Sequence, residues 1–177
     1  MANVKMSDRA LEFELPGVDG RTYALAQVSE GKKATVVVFM CNHCPYVLAW
    51  MDRLVSLAEA YANQGVAFIG INSNDPTKYA VDDFEGMQRL AQEQGLPFPY
   101  VQDATQEVAT AYGAERTPEF FLFDADSRLK YHGALDDSHD ETQAQATYLR
   151  DALDAILAGH EPPTEKTPPV GCTIKWK

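Results

Sequence analysis

The chain has 177 residues, 45% hydrophobic and 23% charged, with 10 prolines, 11 glycines and 3 cysteines, which suits one globular domain with a tail and leaves two full domains cramped. At this size roughly 70% of the unfolded surface is buried on folding, so a core forms without disulfides or metals and any cysteine chemistry points to function rather than stapling. The formal charge of −11, from 26 acidic against 15 basic residues, argues against nucleic-acid binding, which draws its affinity from Lys and Arg neutralising phosphates.

No window approaches the ~18 apolar residues of a membrane span, and residues 1–9 carry no apolar stretch of a secretory leader. The expected setting is a reducing cytoplasm, where a CxxC pair points to redox or metal chemistry. In chain order, residues 10–28 alternate apolar and polar side chains around Gly17-Val-Asp-Gly20, which predicts a short hairpin or a bent pair of extended segments. Thr35-Val-Val-Val-Phe-Met40 is an unbroken apolar run, as expected of a central strand covered on both faces. After Pro45, residues Val47, Met51, Leu54, Val55, Ala58 and Tyr61 recur at helical spacing, with Gly65 as the left-handed stop. A second buried strand, residues 66–71, completes a βαβ unit with parallel strands and a right-handed crossover.

The polar cluster Asn72-Ser-Asn-Asp-Pro76 reads as a turn before a helix over residues 83–94, which presents Phe84, Met87, Leu90 and Ala91 on one side and ends at Gly95. Residues 98–101 form a short extended piece. Asp103 with Gln106 reads as a capping box for a short helix through Tyr112, stopped by Gly113. Residues 119–123 and 128–132 are two strands of an antiparallel hairpin. A last helix over 142–158 aligns Leu149, Leu153, Ile156 and Leu157 and ends at Gly159. Beyond it lies an extended tail whose Ile174 and Trp176 call for docking, because free in water they would leave apolar surface exposed.

The chemistry concentrates in Cys41-Asn-His-Cys44-Pro45, between a buried strand and an amphipathic helix. A thiolate forms most readily where unpaired backbone N–H groups and a positive helix end face the sulfur, and this position supplies both. Two intervening residues allow a small disulfide ring, so a neighbouring thiol can resolve an intermediate with a substrate. His43 adds a nearby cation when protonated. Two other readings stay open: a pair of buried cysteines packing as small hydrophobes, and a metal site completed by Cys172, His43 and His132. A second signal is Thr117-Pro118 at a strand entrance, where a proline interrupts pairing in either isomer.

Strand, CxxC at a helix start, βαβ, then Thr117-Pro118 before a hairpin and a closing helix resembles the thioredoxin superfamily across residues 10–158. The opening Leu11-Glu-Phe-Glu-Leu-Pro-Gly-Val-Asp-Gly20 resembles its redoxin (AhpC/TSA) branch, which includes peroxiredoxins and membrane-tethered thiol–disulfide oxidoreductases. Cys41-Asn-His-Cys-Pro-Tyr-Val47, Thr117-Pro-Glu-Phe-Phe121 and Gly171-Cys-Thr-Ile-Lys-Trp-Lys177 are similar to a peroxiredoxin-like group. The resemblance implies an α/β thioredoxin-like fold: a central mixed sheet with helices on both faces and an N-terminal β extension. It further implies a domain over residues 1–160, a docked tail over 161–177, and a cis Thr117–Pro118 peptide.

The resemblance also bears on roles. Counting from Phe39 puts the attacking cysteine of thioredoxins at Cys44, with Val47 in place of their second cysteine. Against peroxiredoxins, Cys41 replaces a hydroxyl, Val37 replaces a proline, and Arg116 lies two positions before the expected arginine. A peroxide site built this way lacks its main electrostatic support. From helix geometry, Cys44 at the N-cap before Pro45 is the attacking thiolate and Cys41 the resolving thiol, the reverse order being the alternative. Cys172 is a second resolving thiol, a metal ligand or an apolar anchor.

The expected function is a thiol–disulfide oxidoreductase acting on protein disulfide or dithiol partners. The alternatives are a thiol peroxidase acting on hydroperoxides through Cys44, and a metal-binding or redox-inactive adaptor. No cofactor and no metal is assigned. Trp50 is expected to pack, His132, His139 and His160 to be solvated or at strand edges, and Asp136, Asp137, Asp140 and Glu141 to form a solvated cap before the last helix.

Overall fold

A computed structural model describes residues 3–177. An antiparallel hairpin, β1 (Glu14–Pro16) and β2 (Thr22–Ala24), sets Leu15 opposite Tyr23, as the alternating pattern predicts. The same stretch then ends in a five-residue helix, α1 (Leu25–Ser29), that alternation does not announce; it buries Leu25. The central sheet runs β5–β4–β3–β7–β8. Its strands are β3 (Ala34–Phe39), β4 (Val66–Asn72), β5 (Tyr100–Gln102), β7 (Glu119–Asp124) and β8 (Leu129–Gly133). Strands β3, β4 and β5 are parallel, β7 runs antiparallel to them, and β8, antiparallel to β7, returns to their direction, so the sheet is mixed.

The unbroken apolar run of β3 has a structural reason: it lies between β4 and β7, and every one of its residues is buried. Because side chains alternate across a strand, Ala34, Val36 and Val38 enter one core and Val37 and Phe39 the other. Helices α2 (Pro45–Ala62), α3 (Phe84–Gln94) and α5 (Tyr148–Leu157) cover the first face. The second face is covered by α1, α4 (Glu107–Tyr112), the N-terminal segment and Ile174 of the tail. The layered α/β thioredoxin-like architecture is therefore present, with helices on both sides of a mixed sheet.

Three expectations change. Asp103 and Gln106 do not form a reciprocal box. Asp103 accepts the Ala109 N–H at 2.9 Å, whereas Gln106 turns away and donates to the carbonyls of Ser73 and Lys175 at 2.8 and 2.9 Å. The last helix begins at Tyr148 rather than 142, because the Asp137 carboxylate takes the N–H groups of Gln145 and Ala146 at 2.8 and 3.1 Å and holds that segment extended. Asp136 is not part of a solvated cap. It is buried and accepts from Trp50 Nε1 at 2.7 Å and from Arg53, tying the loop after β8 to α2.

The tail docks as Ile174 requires, that side chain being 3% exposed, while Trp176 stays 37% exposed. Two residues of it form β9 (Cys172–Thr173), paired antiparallel with β6 (Arg116–Thr117), in the register Thr117 opposite Cys172. Between β6 and β7 the Thr117–Pro118 peptide is cis, the isomer the resemblance implies.

Candidate active site

The CxxC turn leaves the end of β3 and enters α2. Cys44 is the N-cap in an extended conformation and Pro45 the first helical residue, whose missing N–H costs nothing there. No oxygen-bearing side chain caps this end; instead the Val47 N–H points at the Cys44 sulfur. The three cysteines are unbridged in this structure, and Cys44 is the middle one. Hydrogen bonding from the Cys41 thiol is the largest influence on its acidity, pulling its pKa down to about 4. Burial opposes this, and the Cys172 thiol with the N–H groups of Val47 and Cys172 adds to it.

The counterpart is Cys41, whose thiol is pushed well above the ordinary range. Its hydrogen bond to Cys44 contributes most, then burial, then the negative charge of Asp82. Cys172 is pushed up to about 11 by burial and by the neighbouring Cys44 sulfur. One proton-poor sulfur thus stands between two proton-rich ones. Thr117 touches both members of the CxxC pair: its hydroxyl lies 3.6 Å from Cys41 Sγ and its carbonyl oxygen 3.3 Å from Cys44 Sγ, where it accepts the S–H when that thiol is protonated.

His43 is held by Asp82 and Tyr79. Its Nδ1 bonds Asp82 Oδ2 at 2.5 Å and its ring stacks on Tyr79 with centroids 4.1 Å apart. Asp82, fully buried, also accepts from the Asn42 backbone at 2.7 Å and from Asn74 Nδ2 at 3.0 Å. Asn42 completes the cluster by accepting from the Tyr100 hydroxyl at 2.7 Å. This polar bed fixes the loop between the cysteines, and sequence reasoning missed its keystone, Asp82. The signal available was the polar run that follows β4, a strand otherwise apolar to its end.

Single donor atoms of Cys41, His43 and Asp82 lie within 4.8 Å of one another, one short of the usual four ligands of structural zinc. The ligand set of the metal alternative, with Cys172, His43 and His132 completing the pair, does not assemble as such, because His132 is bonded to Glu119. His132 stands on the edge strand β8, one of the two expected settings, with its side chain held: Nε2 bonds Glu119 Oε2 at 2.6 Å and the ring stacks on Phe121 at 4.2 Å. Glu119, 1% exposed, uses its other oxygen to accept the N–H groups of Glu115 and Arg116, both at 3.0 Å. It therefore anchors β6 beside the sulfurs, a second role missed from sequence. The sequence signal was an acid placed directly before the aromatic and aliphatic run Phe120–Phe123.

Arg116 does not approach Cys44; its guanidinium donates to the Gly171 carbonyl at 3.2 Å. Around the turn the surface is apolar. Among the described residues the exposed large hydrophobic side chains are Leu48, Tyr79, Val81, Val170 and Trp176. Tyr79 and Val81 meet the loop between the cysteines, Leu48 lies one turn along α2 from Cys44, and Val170 and Trp176 belong to the docked tail. The Leu48 N–H bonds the Cys44 carbonyl, Tyr79 stacks on His43, the Val81 carbonyl accepts from Asn42, Val170 precedes Gly171, and the Trp176 carbonyl accepts from Lys78. A cleft of about 520 Å³ lined by Tyr23, Val28, Phe68 and Phe98 contains none of the cysteines.

Residues 6–132 match the AhpC/TSA family. A thiol–disulfide oxidoreductase ResA from Geobacillus thermodenitrificans is 30% identical over 129 residues, which is 72% of this chain and 68% of the relative. The chain spans about two thirds of the length of the curated relatives it matches. Two crystal structures superpose over nearly the whole chain. An uncharacterized conserved protein from Geobacillus kaustophilus has a TM-score of 0.92 at 45% identity, covering 98% of this chain and 93% of the other. A hypothetical protein from Sinorhizobium meliloti 1021 has a TM-score of 0.92 at 39% identity, covering 99% and 96%.

Proposed function

The chain belongs to the AhpC/TSA family, and from that premise we propose that it is a thiol–disulfide oxidoreductase in which Cys44 attacks and Cys41 resolves. The observation that carries the assignment of roles is the position of Cys44 at the start of α2, its sulfur facing backbone N–H and thiol donors, with Cys41 hydrogen-bonded to it. The Cys44 thiolate attacks one sulfur of a partner disulfide. A mixed disulfide forms, and the displaced partner sulfur leaves as a thiolate that takes a proton. With Cys44 now bonded, the negative charge that held the Cys41 proton in place is gone. Cys41 loses that proton, attacks Cys44 and forms the Cys41–Cys44 bridge, releasing the second partner thiol. An external dithiol resets the pair.

The acid–base groups beside Cys41 are His43 and Asp82. The partner is a protein, received where the exposed apolar side chains of Leu48, Tyr79 and Val81 stand near the CxxC turn, since exposed apolar surface beside a site marks an interaction surface. Peroxide chemistry has less support: the Thr117 hydroxyl faces Cys41 and the Arg116 guanidinium faces Gly171, so neither stands ready for charge developing at Cys44.

The test is reduction of a protein disulfide with dithiothreitol supplied. Wild type turns over, Cys44→Ser is inactive, and Cys41→Ser accumulates a mixed disulfide on Cys44. Mixed disulfide trapped on Cys41 in a Cys44→Ser chain would reverse the roles. Absence of both the activity and a Cys41–Cys44 bridge on oxidation would end the proposal.

A further inference from the structure

Both cysteines of the CxxC pair are 0% exposed, which a catalyst of exchange with other proteins cannot remain. The chain's own C-terminal segment packs against Cys44. Cys172 directs both its thiol and its backbone N–H at the Cys44 sulfur, and its strand β9 lies antiparallel on β6, the strand whose Thr117 touches both catalytic sulfurs. We propose that β9 is an internal occupant of the edge that receives the partner: a Gly-Cys-Thr-Ile strand that a cysteine-bearing extended segment of the partner must displace, and whose Cys172 can bond covalently to Cys44. This rests on the oxidoreductase reading and adds a partner class and a third exchanging thiol to it.

The docked strand states what the edge accepts. At Gly171 a Cβ atom would stand 2.0 Å from the Thr117 carbonyl oxygen and 2.7 Å from its carbon. Both are backbone atoms that no rotamer change moves aside, so the residue before the cysteine has to be glycine. Two residues after the cysteine, Ile174 is buried and its N–H bonds the Glu115 carbonyl at 3.0 Å, which calls for an aliphatic side chain there. Further along, the Lys175 carbonyl accepts from the Asp75 N–H at 2.8 Å, and the Lys175 N–H donates to Asn74 Oδ1 at 3.0 Å. These are backbone interactions of the kind a strand from another chain reproduces, with side-chain pockets supplying the selectivity.

The covalent step balances as thiol–disulfide exchange. In the oxidised chain Cys172, as thiolate, attacks the Cys44 sulfur of the Cys41–Cys44 bridge. The Cys44–Cys172 bond forms as the Cys41–Cys44 bond breaks, and Cys41 leaves with the electron pair and takes a proton; no net oxidant is consumed. Bridging Cys44 removes the negative sulfur that helps keep Cys172 protonated, so the third thiol becomes competent only once the enzyme is oxidised. The product has its partner edge locked, and external dithiol reopens it.

The experiment measures the rate at which Cys44 exchanges with oxidised glutathione in the full chain, comparing wild type with Gly171→Ala and Ile174→Ala. Forcing a side chain into a filled backbone contact is expected to speed exchange in Gly171→Ala about ten- to hundredfold. A peptide copying residues 170–175 with serine for the cysteine is expected to slow that variant back toward wild type, and the same peptide with alanine for the glycine to have no effect. Rescue by the peptide separates displacement of the strand from general unfolding. In a Cys41→Ser chain, oxidation is expected to give a Cys44–Cys172 bridge by mass mapping. Equal rates in wild type and both variants, suppression by the alanine peptide, or failure to find that bridge would overturn the proposal while leaving the oxidoreductase reading intact. No reaction of Cys44 in any chain would instead defeat the oxidoreductase reading.

Discussion

Glu119 is the residue whose loss should be felt most widely, since it joins the hydrophobic sheet to the edge beside the sulfurs. It heads β7 with its carboxylate 1% exposed, accepts two backbone N–H groups of the β6 segment at 3.0 Å each, and meets His132 Nε2 at 2.6 Å. Glu119→Ala strands all three partners. An unpaired buried donor costs about 1–3 kcal/mol, and three partners lose their acceptor here. With the Glu115 and Arg116 N–H groups in part reachable by water, a loss of about 3–5 kcal/mol follows. That is a large share of the ~5–15 kcal/mol that holds a domain together. Glu119→Gln keeps one acceptor oxygen for the two N–H groups and should lose about 1–2 kcal/mol. Urea unfolding followed by circular dichroism measures both, through a shift of the midpoint at constant slope. A loss below about 1 kcal/mol for the alanine variant, or a glutamine variant as damaged as it, would show that the carboxylate is not the anchor of β6.

Two further outcomes follow from the charges around the cysteines. The Cys44 pKa, drawn down to about 4 by its donors, predicts that ultraviolet thiolate absorbance of the reduced protein persists as pH falls from the ordinary cysteine range near about 8.5 and disappears only on approach to pH 4. The signal should be missing in Cys44→Ser; a titration centred on the ordinary range in wild type would contradict the geometry assigned to α2. Asp82→Asn removes a negative charge that raises the Cys41 pKa. It should bring the Cys41 thiol down, so that alkylation of Cys41 in a Cys44→Ser chain sets in at lower pH than with Asp82 in place. A pH profile of iodoacetamide labelling with mass mapping reads this directly, and an unchanged or higher-pH onset would remove Asp82 from the electrostatics of the site.

Much of the fold was legible because short-range patterns carry it. The β-branched run of β3 announces a strand covered on both sides, Pro45 marks where α2 starts, and Gly95 closes α3 in a left-handed conformation with φ 59°. The pairing of Cys41 with Cys44 is likewise local, since two intervening residues bring the thiols together wherever the turn sits. Failures came where a side chain's partner lies outside its own turn. Gln106 has the spacing of a cap but finds better acceptors on Ser73 and Lys175. Asp136 looks like surface charge until Trp50 and Arg53 close over it.

The amino-acid sequence by itself determined the central strand, the helix that begins at Pro45 and the dithiol at its tip, because hydrophobic periodicity and a proline act over a few residues. Only the tertiary structure decided that Asp82 supports the turn, that Glu119 fastens β6, and that Cys172 lies against Cys44. A strand as short as β9 has no propensity of its own to read. It exists because the free edge of β6 offers unpaired backbone groups and a socket for Ile174, and those are brought together only when distant parts of the chain pack.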